Sequence, residues 1–217
     1  MRTLLLTGEG RYSDPWHPFA GTSAAVAGLL SDRGHRVEVR GDVDDALSRL
    51  DDLPDLVVVN VGLPRDGAAS PAPTARAGLA RLLRSPVPLL GLHVSSTSFV
   101  DADEWPRLLG GRWVHDVSMH PDFGPARIRI TGAGHPVTAG AADFELEDER
   151  YSWLEVSPSA EVLAVHEHEG IDHPLIWALE RPSGGRTVYD ALGHTAASYD
   201  SPAHRALLTG ALDWLGV

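Results

Sequence analysis

Short apolar runs alternate along this chain with segments in which apolar residues recur every three or four positions, the pattern of β-α units that feed a parallel sheet. Thr3 to Thr7 reads as the first strand. A loop rich in Gly, Asp and Pro follows, and Thr22, Ala25, Val26, Leu29 and Leu30 then fall at helical spacing before Gly34, which suits a carboxyl-terminal cap. His35 to Val39 is strand two, and Asp42 to Leu50 a short helix. Leu56 to Val61 is apolar on successive residues around Asn60, as expected of a central strand covered on both faces. Thr74 to Leu83 supplies the next helix, with Ala75, Leu79, Leu82 and Leu83 on one side, and Val87 to Leu92 a strand that runs directly into His93.

The second half is less regular. Gly and Pro break up Pro121 to Ile130 and His135 to Glu147, which read as short strands and loops embellishing the sheet. Ala160 to His168, Leu175 to Leu179 and Thr187 to Leu192 are three further strands, with a hairpin turn at Arg181 to Arg186. Ser201-Pro202 starts a last helix whose Leu207, Leu208, Ala211, Leu212 and Leu215 form one apolar face. The expectation is an α/β fold over residues 1–217 as one domain.

Composition narrows the chemistry. A net charge of -12 repels nucleic acid and anionic membrane surfaces, so a small-molecule partner is expected. The absence of cysteine removes disulfides, thiolate zinc sites and cysteine nucleophiles together. The apolar run after Met1-Arg2 is too short for a signal sequence or a membrane span, which points to the cytoplasm. Gly8-Glu9-Gly10 lacks the third glycine and the following helix of a dinucleotide fingerprint, so no nucleotide is expected. The 11 histidines remain as the main reservoir of reactive groups.

Several separated motifs then occur in a fixed order: Gly91-Leu92-His93, Leu108-Leu109-Gly110-Gly111-Arg112, His135-Pro136-Val137-Thr138, Asp148-Glu149-Arg150-Tyr151, His173-Pro174-Leu175-Ile176-Trp177, and the run from Gly185 to His194. In this order they resemble the ThuA-like, or trehalose-utilisation, family across nearly the whole chain. The resemblance implies a flavodoxin-like parallel sheet with helices on both faces, similar to class I glutamine amidotransferases. It also implies a link to carbohydrate use, of trehalose or related keto sugars. Amidotransferases of this fold place a cysteine nucleophile where this chain has His93, so glutaminase activity is not expected. The family commonly reads Gly-Leu-His-Gly-Gly at this turn, whereas this chain continues Val94-Ser95; β-branched Val94 narrows what the backbone can do.

In a parallel sheet the residues following each strand collect along one edge, so His17, His93 and His194 are expected to face one crevice. Asp14 shares the loop of His17, while His120 and Glu149 come from the irregular segments. The expected roles are catalysis by His93 and His194 and substrate contacts from His17, Asp14, Ser95, Glu149, Tyr151 and Tyr199. His17, His93 and His194, with His120 as a more distant addition, suit zinc or another divalent metal. The same imidazoles also suit binding sugar hydroxyls or transferring protons without a metal. Both an enzyme and a non-catalytic sugar-binding or regulatory protein fit this pattern, as does a homo-oligomer.

Other residues are expected to be structural. Ser95, Ser96, Thr97 and Ser98 either replace backbone donors with hydroxyls or begin the next helix as caps, with the cap reading favoured for the run. His166 and His168 read as a solvated hairpin edge, His135 and His173 as starts of extended segments, and Trp177 and Trp214 as core; His35, His115 and His204 lack motif context. Trp16, Tyr151, Trp153 and Tyr199 are the candidate ring faces for a sugar. Adjacent Asp148 and Glu149 point oppositely on a strand, which argues against a glycosidase carboxylate pair.

Overall fold

The computed structural model describes all 217 residues. In order they form β1 (Arg2–Thr7), α1 (Phe19–Asp32), β2 (Arg36–Arg40), α2 (Val43–Ser48), β3 (Leu56–Asn60), α3 (Pro73–Arg84), β4 (Leu89–Leu92), α4 (Glu104–Leu109) and β5 (Gly111–Arg112). There follow β6 (Gly124–Ile130), β7 (Phe144–Asp148), β8 (Glu155–Val156), β9 (Glu161–His168), β10 (Ile171–Glu180), β11 (Arg186–Asp190) and α5 (Pro202–Leu215).

Nine strands build one sheet in the order β2-β1-β3-β4-β11-β10-β9-β6-β7, and β5 pairs with β8 apart from it. From β2 to β11 every neighbour is parallel. From β11 to β7 every neighbour is antiparallel. The irregular segments of the second half are therefore strands of the same sheet, extending it beyond its parallel part. Two hairpins make the change of direction, one through Arg181–Gly185 and one through Glu169 and Gly170. Both residues of the second turn have positive φ (53° and 75°), matching the right-handed twist of the strands they join.

The apolar run of β3 is explained by its position. It lies between β1 and β4, and all five residues are buried. Edge strand β2 is mostly exposed and correspondingly polar. Asn60 interrupts the apolar run because its Nδ2 donates to Thr22 Oγ1 and Ser23 Oγ, both at 2.9 Å, anchoring α1 over the carboxyl ends of β1 and β3. Gly34, at φ 83°, follows α1 as expected of a left-handed cap, and Ser201 caps α5 by accepting from the His204 amide.

Candidate functional site

The carboxyl ends of the parallel strands carry the histidines, as the β-α pattern requires. His17 lies in the loop between β1 and α1. His93 directly follows β4 and opens a 3-10 turn over His93–Thr97, and His194 follows β11. Their ring centroids stand 5.2 Å (His17–His93), 5.0 Å (His17–His194) and 5.4 Å (His93–His194) apart, a nearly equilateral triangle of rings.

His93 occupies the sharp turn with φ 40°, a left-handed conformation that costs a β-carbon residue energy and survives only when its surroundings hold it. Three contacts do so. Its Nδ1 donates to the Ala191 carbonyl at 2.6 Å, and its own carbonyl accepts from Tyr189 Oη at 2.7 Å and, more weakly, from Ser96 Oγ at 3.5 Å. Because a carbonyl only accepts, Nδ1 carries a proton, and Nε2 is the nitrogen turned toward the neighbouring side chains. That Nε2 lies 3.3 Å from Glu149 Oε2, 3.3 Å from His194 Nδ1 and 3.2 Å from Tyr151 Oη.

His17 is oriented in the same manner by a carboxylate. Both Asp14 oxygens lie 2.8 Å from its Nδ1, and Asp14 Oδ1 also accepts from the backbone amides of Trp16 and His17 at 2.9 Å. Its Nε2 is left buried without a partner. Burial, and then the positive charge that His93 can carry, push the His17 ring down to about 4 against the pull of Asp14, so it is neutral at pH 7.

Glu149 comes from the far side of the sheet, immediately after β7. Burial alone would raise its carboxyl, but His194 and His93 beside it hold it well below the ordinary range, so it is ionised. The same contact acts on His93, where burial lowers the ring and Glu149, Asp148 and the Ala191 carbonyl raise it more strongly. Glu149 Oε2 is 3.2 Å from His194 Nδ1, yet it makes no well-directed hydrogen bond and is fully buried. Oriented imidazoles around an ionised, unsatisfied carboxylate oxygen make a site that favours a cation.

His17, His93, Glu149 and His194 are the residues that could hold a metal ion. One donor atom from each of His17, His93, Glu149 and His194 lies within 4.8 Å of the other three. Donors about 2.05 Å from a tetrahedral metal stand roughly 3.3 Å apart. The three distances among His93 Nε2, His194 Nδ1 and Glu149 Oε2 are 3.3, 3.3 and 3.2 Å. His120 departs from the expected set: its Nε2 is 3.8 Å from the other carboxylate oxygen, Oε1, and its Nδ1 donates to the Pro121 carbonyl.

A cavity of about 640 Å³ opens over the cluster, lined by Asp14, His17, Glu149 and Tyr151 at its polar end and by Trp16 and Trp113 among its walls. His93 and Tyr151 rings pack at 4.6 Å, and Trp113 packs on Tyr151 at 5.0 Å. Burial, with nearby Tyr189 and Glu149, raises the Tyr151 phenol well above its usual range, so it keeps its proton. Val94, expected to constrict the turn, lines the cavity, while the positive φ falls on His93.

Several expected contacts lie elsewhere. Ser95 is wholly buried beneath the crevice with no partner for its hydroxyl, and its carbonyl accepts from Trp105 Nε1. The neighbouring hydroxyls cap no helix: Ser96 and Thr97 turn back to the carbonyls of His93 and Val94, and Ser98 donates to the Val61 carbonyl. Tyr199 is buried against Gly193 and stacked on His204, 5.3 Å between ring centroids, so it backs the His194 loop and does not face the cavity. Trp153 packs on His173 and His168 instead of the crevice. His166 is no solvated edge; it is 1 % exposed, with Nε2 donating to the Tyr151 carbonyl at 3.0 Å.

The sequence reading also missed residues that hold the site together. Asp148, wholly buried, accepts from the amides of Gly193 (2.8 Å) and His194 (3.1 Å), from Ser198 Oγ (2.6 Å) and from the Glu149 amide (2.9 Å). One carboxylate of the acidic pair thus fixes the His194 loop while the next faces the histidines. Asp190 Oδ2 lies 2.7 Å from His204 Nε2, and Asp190 Oδ1 accepts from the Leu192 amide at 3.0 Å, fixing the backbone around Ala191. The Ser201-Pro202 start of α5, followed two residues later by a histidine, was the only local hint that His204 would turn inward.

Comparison with known proteins places the chain in a family. In fold the chain is similar to a ThuA-like protein of Parabacteroides merdae, with a TM-score of 0.80 at 15% identity, covering 100% of this chain and 90% of that one. It is also similar to a ThuA-like protein of Bacteroides uniformis, TM-score 0.77 at 15% identity, covering 99% and 90%. A glutamine amidotransferase of Thermotoga maritima shares the fold at TM-score 0.55 and 11% identity, covering 99% and 84%. No curated protein matches the sequence. No helix is long and apolar enough to cross a membrane. The family model described as trehalose utilisation matches residues 4–215, and the chain belongs to the ThuA family.

Proposed function

We propose that this protein is a metal-dependent enzyme acting on a sugar or keto sugar, with one divalent ion held by His17, His93, His194 and Glu149. The observation that carries the reading is the pair of buried donor atoms without partners, His17 Nε2 and Glu149 Oε2, in a cluster where one donor atom from each of four residues lies within 4.8 Å of the rest. Asp14 and the Ala191 carbonyl support it by occupying the opposite nitrogens of two of the rings, the usual arrangement behind ligating histidines. Three nitrogens and one carboxylate oxygen suit zinc and the neighbouring transition metals. Such an ion polarises a bound carbonyl or hydroxyl.

The chain's own groups supply the rest. Tyr151 keeps its proton and stands 3.2 Å from His93 Nε2, placing a neutral hydrogen-bond donor beside the cluster. The cavity has the volume of an ordinary small-molecule site, about 300–1,000 Å³, and its aromatic walls offer faces for sugar C-H groups. A sugar substrate rests on the family's described role in trehalose utilisation. Glutamine hydrolysis is left out of the reading because the chain has no cysteine to serve as nucleophile.

The test is metal analysis of the purified protein, then thermal-shift titration with sugars and keto sugars for the wild type and for His93→Ala and His194→Ala. The reading expects one ion per chain, ligand shifts in the wild type, and loss of both in the variants. A metal-free protein that cannot be loaded, with shifts unchanged in the variants, would overturn it. Ligand shifts without turnover of any sugar tested would favour the non-catalytic sugar-binding alternative.

A further inference from the structure

The cavity mouth carries one cation that the cluster does not use. Among the lining residues Arg65 is the only arginine or lysine, and its guanidinium stacks over the Trp16 ring at 4.4 Å from the centroid. Stacking holds the flat face of a guanidinium and leaves its edge of N–H donors free, which is the geometry for binding a carboxylate or phosphate. The acidic residues of the same lining are already engaged. Asp14 is bound to His17, and Glu149 faces His93, His194 and His120.

The loop that carries Arg65 and the turn that carries Trp16 are both anchored. Its loop is pinned by Arg11, which donates to Asp66 at 2.9 and 3.1 Å and to the Ala69 carbonyl at 2.9 Å, and is itself anchored to Asp44 at 2.9 Å. Trp16, its platform, sits in the turn whose amide is held by Asp14 Oδ1. The carboxylate that orients His17 in the cluster therefore also sets the platform of the cation at the mouth. In a chain of net charge -12, a guanidinium stacked there would draw anions toward an otherwise repelling surface.

We infer that the ligand of this crevice is an anionic sugar derivative, a sugar acid or sugar phosphate, whose charged group is bound by Arg65 on Trp16 while its hydroxyl or carbonyl end meets the His-Glu cluster. This rests on the proposed function for the inner end only. The outer contact is a separate interaction with its own readout.

The experiment is calorimetric titration of D-glucose, D-glucuronate and D-glucose 6-phosphate into wild type, Arg65→Gln, Arg65→Lys and Trp16→Leu, each with and without added Zn²⁺. The inference expects at least one anionic sugar to bind about tenfold or more tightly than glucose. That preference should vanish in Arg65→Gln, persist in part in Arg65→Lys and shrink in Trp16→Leu, with zinc affinity unchanged in all three. Glucuronate against glucose 6-phosphate tells which anion the site takes. Equal binding of all three sugars, or a preference that survives Arg65→Gln because the anion sits on the metal, overturns it. Failure to bind zinc counts against the metal reading alone, since the titrations without zinc still read the Arg65 contact.

Discussion

The two halves of the sheet contribute to the crevice in different ways. The parallel half, β2-β1-β3-β4-β11, places His17, His93 and His194 on loops at its carboxyl edge, where open α/β sheets generally bind ligands. The antiparallel half contributes through the connections around β6 and β7, which bring His120, Glu149 and Tyr151 across the mouth. The three rings without Glu149 would bring no negative charge to a cation, and Glu149 without the rings would be a buried charge with nothing to offset it. The difference teaches that the parallel fold supplies the position of the chemistry, while the antiparallel extension supplies the charge that defines it.

The seam between the halves is the place to break this division. Asp148 belongs to the antiparallel half but bonds the backbone of the parallel half's His194 loop. Asp148→Ala should leave the Gly193 and His194 amides and the Ser198 hydroxyl without their acceptor and lower unfolding stability on the order of 3 to 5 kcal/mol, read by denaturant unfolding. If it costs no more than a surface substitution, the halves are not coupled there. Glu149→Gln should preserve shape and remove the charge, cutting divalent-metal affinity by about 100-fold while leaving the fold intact, which calorimetry would show.

A pH titration sharpens the contrast from the antiparallel side. Burial pushes His166 from 6.5 down to about 4 despite its bond to the Tyr151 carbonyl. A lowered histidine contributes stability that is fully present above pH 6.5 and is lost as pH falls toward 4. Between those limits the loss attributable to His166 should be on the order of 2 kcal/mol, so metal-free His166→Gln should show a correspondingly flatter stability profile than the metal-free wild type. Equal slopes would contradict the buried, neutral assignment. The smallest effect is expected at the parallel edge, where Asp14→Asn should keep the His17 contact but weaken it, lowering metal affinity about tenfold.

The two halves also differed in how far the sequence revealed them. In the parallel half β1, β3 and β4 are contiguous apolar runs and α1 and α3 carry apolar residues at helical spacing, so element order, and with it the shared edge of His17, His93 and His194, follows from local pattern. In the antiparallel half β6 and β7 alternate exposed and covered residues, and β6 has to pair with β9 across more than thirty residues, which local composition does not encode. Glu149 was legible as an acidic residue near the motifs, but the partition of Asp148 to the loop amides and Glu149 to the rings depends on where β7 ends. Tyr199 and Ser95 were misplaced for the same reason: nearness in sequence to His194 and His93 says nothing about which side of the loop a side chain takes. The Asp190–His204 contact joins β11 to α5, and nothing near Asp190 in sequence names His204 as its partner.

The central claim, that His17, His93, His194 and Glu149 form one metal site, is tested most directly by titrating Co²⁺ into the metal-free protein and following its visible d-d absorption in the wild type and in His93→Ala. The account predicts saturation at one ion per chain, with a spectrum of low-symmetry nitrogen and oxygen coordination that is abolished in His93→Ala. Absence of binding in the wild type, or the same spectrum and stoichiometry in the variant, would contradict it.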